Sequence, residues 1–237
     1  METAVAEKEI VIDEERRAVV GELMRDVYVW MTAGLAVTGT IAWIVANSPV
    51  LLNLIFGHMA VFLMLIGAEL LLVFVLSSKI QKLSFVAAAT LYTLYCVLNG
   101  VSFSSIFHLY ELSSIGQIFL VTAGSFGVLA FVGTVTKKDL SRLGTFLYMA
   151  LGGMVIASVI GLVAGWEEPM LMSIAGVLIF AGLTVYDAQK IRQLLLNEET
   201  VNEGNMKLAL LGALSLYLDF INLMLKLLRL FGKVKKR

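Results

Sequence analysis

Charge is scarce in this chain: of 237 residues only 15% are Asp, Glu, Lys or Arg, against 59% that are hydrophobic. With a mean hydropathy of +0.89, that balance lies outside the range of soluble globular domains. Cysteine occurs once, at Cys96, which excludes an internal disulfide and leaves no cysteine cluster for a metal; it reads as a small buried hydrophobe. The two prolines, Pro49 and Pro169, fall beside short turns, and no polar or Pro/Gly-rich linker divides the chain, so one compact domain is predicted. The two histidines, His58 and His108, stand apart with no HExxH around them. They read as packing or interfacial groups able to modulate a response near neutral pH. No GxSxG elbow, Ser/His/Asp ordering or phosphate loop occurs, so nothing points to an enzyme or a resident cofactor. The one strong basic cluster is the terminal KVKKR, which suits lipid headgroups rather than nucleic acid.

Long apolar runs are what the chain has in abundance. A bilayer core of roughly 30 Å takes about 20 helical residues. Spans are predicted near 28–48, 52–76, 84–106, 116–135, 143–165, 170–189 and 208–230. The reading is an all-α membrane protein with a seven-helix transmembrane domain over 28–231, between an acidic tail, 1–27, and a short basic tail, 232–237. The amino-terminal tail is charged throughout, lacks the apolar core of a signal peptide, and is predicted to become helical from about Glu22. Asn99, Gly100, Ser102, Ser104 and Ser105 interrupt the third run, which either continues as a helix or unwinds where protein or water satisfies its backbone. The link RQLLLNEETVNEGNMK is predicted helical at its start and irregular around Asn202 to Asn205. Gly127, Gly133, Gly144, Gly152, Gly153, Gly161, Gly176 and Gly182 are read as close helix crossings.

Basic residues set the predicted orientation. Lys8, Arg16, Arg17 and Arg25 precede the first span; Lys79 and Lys82 lie in the second link, Lys137, Lys138 and Arg142 in the fourth, Lys190, Arg192 and Lys207 in the sixth. The amino terminus and even-numbered links are therefore predicted to be cytoplasmic. Seven spans send the basic tail to the opposite side; a re-entrant segment would instead leave both ends cytoplasmic.

Two acids stand inside the last two apolar runs, Asp187 in LTVYDAQKI and Asp219 in LSLYLDFINLML. A carboxylate in hydrocarbon costs a few kcal/mol or more unless it is neutralised, paired or wetted. Asp219 lies roughly 18 Å along the helix from Lys207, too deep for so short a side chain to reach water. Asp187 is nearer the cytoplasmic end; it either neutralises Lys190 and Arg192 or turns inward toward Asp219. Two neighbouring carboxylates in a low dielectric cannot both ionise cheaply, so such a pair holds one proton, and losing it separates the helices, admits water or recruits a cation. The same oxygens are candidate transient ligands for Ca2+. Glu69 is a third in-span acid, read either as part of a water-filled path or as a structural hydrogen bond; Asn99, Asn222, Tyr186 and Tyr217 are candidates to complete a polar interior.

The stretches TKKDLSRLGTFLYMALGG, IFAGLTVYDAQKI and LALLGALSLYLDFINLMLKLLRLFG together resemble a bacterial member of the Bax inhibitor-1, or transmembrane Bax inhibitor motif, family, over almost the whole chain from Val27. The resemblance implies a seven-helix bundle with the last helix central, in the bacterial inner membrane. It implies an aspartate pair acting as the pH sensor of a cation leak, chiefly for Ca2+ as transported ion, with Asp187 and Asp219 at the matching positions and Glu69 at that of a second-helix glutamate. Relatives use an arginine near the cytoplasmic end of the second helix to latch the pair, where this chain has Lys79 or Lys82, which lack the guanidinium fork. Glu69, Lys79, Lys82 and Asn222 are thus carried as gate or pore support. A second implied reading is a regulatory partner of a membrane quality-control protease, without flux of its own. Suppression of cell death belongs to eukaryotic relatives. A monomer is the simplest assembly.

Overall fold

A computed structural model of the chain describes residues 2–165, 169–196, 198 and 200–235. Lys236 and Arg237 of the basic tail, and Asn197 and Glu199 of the sixth link, lie outside the described residues.

The first helix, α1, runs over Glu2–Ala46, so helix begins well before Glu22. Its early residues are mostly Ala, Glu, Lys and Arg, strong helix formers, with no proline or glycine before Gly21. The second predicted span is divided. Ser48 accepts a hydrogen bond from the Leu51 amide (3.4 Å) and Pro49 takes the first helical position, which starts a short helix, α2, over Pro49–Phe56. Residues 52–56 belong to it, and the span itself is α3, Met59–Lys79, closed by a 3-10 turn over Ile80–Lys82. In the third run α4, Phe85–Phe103, stays helical through Asn99 and Gly100 and breaks only at Ser104 and Ser105 before one further turn, α5, Ile106–Leu109. Four long helices follow at α6, Leu112–Val135, α7, Ser141–Ala164, α8, Met170–Leu195, and α9, Glu203–Phe231. Asn202 is not irregular loop but the cap of α9, its side-chain oxygen accepting from the Asn205 amide at 3.1 Å.

Among the described residues seven helices are long and apolar enough to cross a membrane. They differ sharply in burial: 61% of the apolar window of α9 is buried, against 11% for α7 and 6% for α3. The span that is most covered by protein is the central one of a bundle, which is the place of α9.

Where the sequence predicts one compact domain, the chain groups into two units, and α8 and α9 each continue from one into the other. The first holds 1–102 and 190–214. In it α1 crosses α4 closely: Trp30 meets Phe85 and Tyr92 edge-on, the Tyr92 hydroxyl donates to the Trp30 carbonyl (3.0 Å), and Thr38 donates to the Cys96 carbonyl (2.9 Å). A Cβ at Gly100 would lie 2.7 Å from the Thr38 carbonyl oxygen, so Gly100 marks a contact and not a break. The start of α9 ties off two helix ends: Lys207 Nζ donates to the carbonyls of Gln81 (3.2 Å) and Leu83 (3.0 Å), and Glu203 accepts from the Phe85 amide (2.8 Å). A cation on terminal carbonyls and an anion on a first-turn amide both satisfy orphan groups and oppose the helix dipoles. The second and sixth links are therefore together.

The second unit holds 103–189 and 215–237. Phe220 of α9 packs between Phe119 and Phe126 of α6, and Leu223 joins Leu147, Phe180 and Leu183 from α7 and α8. Of the glycines read as crossings, Gly133, Gly144, Gly176 and Gly182 abut neighbouring helices, whereas Gly127, Gly152 and Gly153 face open space. A stripe of small residues does not by itself say which face is covered. After α9 the chain turns back as a strap: Tyr110 and Val234 form an antiparallel bridge, the Glu111 amide donates to the Lys233 carbonyl (2.9 Å), the Lys235 amide to the Leu109 carbonyl (2.9 Å), and the Lys233 amide to Ser114 (2.9 Å). The basic tail thus shares a side with the third link, as seven spans require.

Single cysteines at His108 and Val234, on a Cys96→Ser background, should label with an impermeant thiol reagent from one side of sealed vesicles, and a cysteine at Lys138 from the other. Labelling of Val234 and Lys138 from the same side would contradict the seven-span path.

Candidate functional site: a buried pair of carboxyl groups

The sixth span places its buried residues at helical spacing, with Phe180, Leu183, Thr184, Asp187 and Ala188 on one covered face. That register, and not its depth alone, takes Asp187 inward: it is 4% exposed, and the Tyr148 hydroxyl on α7 donates to both of its oxygens, at 2.8 and 3.0 Å. Asp219 lies in the middle of α9 and is 5% exposed. Its Oδ2 is buried with no hydrogen-bond partner among the described residues, and it is close enough to Asp187 for the charge of one to act on the other. Tyr186 meets Tyr148 edge-on, with ring centroids 6.0 Å apart, and Tyr217, two residues before Asp219 on α9, is fully covered. The structure therefore brings Asp187, Asp219 and Tyr148 into one cluster within the second unit.

The other predicted residues lie elsewhere. Glu69 is half-buried on α3 and accepts a hydrogen bond from Ser102 of α4 (2.5 Å), within the first unit. Lys79 and Lys82 are exposed at the end of α3 and in the turn after it. Asn222 donates to the Leu218 carbonyl of its own helix (2.8 Å), and Asn99 to the Tyr95 carbonyl of its own (3.2 Å). His58 and His108 are exposed. His58 is the extended residue before α3.

Two residues of the site have no distinguishing mark in the sequence. Tyr148 stands 39 positions from the aspartate it bonds, and a tyrosine in an apolar run reads as an anchor. Gln189, two residues past Asp187, is 4% exposed; it accepts from the Leu140 amide (3.2 Å) and donates to the carbonyls of Thr136 (2.9 Å) and Lys138 (2.8 Å). One buried amide thus holds the whole turn between α6 and α7, and with it the start of the helix that carries Tyr148. In that turn the Ser141 hydroxyl and amide hold Asp139 below the ordinary carboxylate range, so this acid stays ionised through neutral pH.

Chemically, the cluster can keep a proton on a carboxyl group out of water, and it can offer oxygens to a hard cation. Two carboxyl groups supply fewer oxygens than the six to eight of a tight Ca2+ site. Among the described residues no group of three or more His, Cys, Asp or Glu converges.

Comparison with known proteins places this chain in a family. Residues 20–236 match the family model described as inhibitor of apoptosis-promoting Bax1. The inner membrane protein YbhL of Escherichia coli K12 is 45% identical over 218 residues, 91% of this chain and 93% of its own. An uncharacterized protein of Deinococcus radiodurans is 39% identical over 208 residues, 87% of this chain and 88% of its own, and one of Borreliella burgdorferi is 36% identical over 217 residues, 90% and 92%.

Gln189→Leu keeps the volume and removes the amide, so that one part-buried N–H and two carbonyls lose the partner they have in the turn. A loss of about 1–3 kcal/mol is expected, read as a lower thermal midpoint in detergent; an unchanged midpoint would show that the turn is held by other means.

Proposed function

The chain belongs to the Bax inhibitor-1 family, and from that premise we propose that it is a pH-sensitive cation leak of the bacterial inner membrane, chiefly for Ca2+, gated by Asp187 and Asp219. The observation that carries the reading is the buried oxygen of Asp219, unpartnered among the described residues, beside a second buried aspartate in the most buried of the long helices. A carboxyl group in such a place is far more easily kept neutral than charged. With one proton held by the pair the helices stay packed. When it leaves, two like charges in a low dielectric repel, and relief comes from separation, from water or from a cation.

Ca2+ suits the pair once its proton has left, because carboxylate oxygens are hard ligands, and a site with few of them releases its ion readily. The basic residues of the even links put the amino terminus in the cytoplasm, and the name of the Escherichia coli relative as an inner membrane protein supports that membrane as the location. The protein acts as a monomer, with no catalytic step.

Purified protein in liposomes should pass Ca2+ at a rate that varies across the neutral pH range. In Asp219→Asn and Asp187→Asn that variation should flatten or move, since an amide cannot gain or lose the proton. Equal flux from loaded and empty liposomes, with the protein inserted and folded, would sink the autonomous leak and favour the role of regulatory partner to a membrane protease.

A further inference from the structure

Lys79 and Lys82 belong to the first unit, which also carries an open groove along α4. The groove runs from Phe85 to Val97 and holds about 500 Å³. Its lining is apolar in effect. Val86 is 73% and Leu94 44% exposed, and the hydroxyls of Thr90 and Thr93 are taken by their own helix, donating to the Val86 carbonyl (2.8 Å) and the Ala89 carbonyl (2.9 Å). The stretch covers about 18 Å of helix, so that volume leaves a channel roughly 6 Å across. An α-helix with its side chains is about 10–12 Å wide. The groove is therefore too narrow for a further span, and it fits a single methylene chain at van der Waals contact.

Cations stand where the groove begins. Lys79 closes α3, and Lys82, three positions before Phe85, closes the 3-10 turn after it. Both are exposed, and neither is paired with an acid among the described residues. Lys207 holds the turn in place through the Gln81 and Leu83 carbonyls on either side of Lys82. Glu203 is the acid at this end, and the Phe85 amide donates to its carboxylate (2.8 Å), so the lysines outnumber it. Trp30 of α1, edge-on to Phe85, has the place of an interfacial tryptophan. We propose that the groove holds one acyl chain of an anionic phospholipid of the cytoplasmic leaflet, with its phosphate on Lys79 and Lys82. Burial of methylenes along α4 and attraction between phosphate and ammonium then act on one molecule. A lipid so placed lies against the link that Lys207 ties to α9.

The test uses the full chain in bilayer vesicles, with Trp43→Phe and Trp166→Phe so that Trp30, beside Phe85, is the reporter. Phosphatidylglycerol brominated on its acyl chains, mixed in rising fraction into phosphatidylcholine, should quench Trp30 along a saturating curve. Brominated phosphatidylcholine should quench only in proportion to its share. Lys79→Gln and Lys82→Gln should each raise the half-saturating fraction about fivefold, and the two together should remove saturation. Ala89→Phe, which fills the groove and leaves the lysines in place, should weaken the quenching by phosphatidylglycerol. Equal curves for the two lipids in the parent would overturn the site, as would a saturating curve that survives the loss of both lysines or is untouched by Ala89→Phe. Equal curves together with disulfide-linked dimers of Thr93→Cys, on a Cys96→Ser background, would give the groove to a second copy instead. Ion flux plays no part in this readout, so the lipid site stands or falls apart from the leak.

Discussion

Burying a carboxyl group in the helix with the least access to lipid or water is the constraint around which this molecule is arranged. Asp219 is 5% exposed near the middle of α9, and one of its oxygens has no donor among the described residues. A group so placed is neutral, or paired with something that can respond to its charge. Asp187, brought inward by the register of α8, is the acid beside it, and Tyr148 of α7 donates to both oxygens of Asp187.

Holding three side chains from three helices in one place asks for rigid helix ends. Gln189 takes three backbone groups of the turn before α7, so the residue two places beyond Asp187 also fixes the helix that bears Tyr148. In the first unit Lys207 and Glu203, at the start of the helix that bears Asp219, close the end of one span and the beginning of the next. At the other end of α9 the strap of Gly232 to Lys235 bonds to the third link. The central helix is thus tied at both ends by polar contacts, while apolar packing of Phe220 and Leu223 fills its middle. Polar ties at the water-facing ends and apolar contact between them suit a helix that carries a titratable group at mid-depth.

The spans were legible in the sequence because hydrophobic length is a property of each segment alone. Helix ends were less so: Ser48 and Pro49 cut a short helix from the second run, and the Asn202 cap starts α9 earlier than its hydropathy does. Polar residues inside the third run suggested a break, but Asn99 bonds its own helix and Gly100 admits α1. The aspartates drew attention by cost alone, since an acid in an apolar run is conspicuous wherever it points. Their surroundings were not legible: Tyr148 and Gln189 act through partners 39 and about 50 positions away, a relation that only the packing of helices creates.

In the leak proposed above, a proton and Ca2+ contend for the same two carboxyl groups. Binding linkage then requires that each weaken the other by the same factor. The pH midpoint of flux, measured in liposomes over a series of Ca2+ concentrations, should move to lower pH as Ca2+ rises, because the cation displaces the proton more readily when it is abundant. A midpoint that stays put while flux saturates with Ca2+ would contradict the account, placing the proton switch and the ion path on different groups.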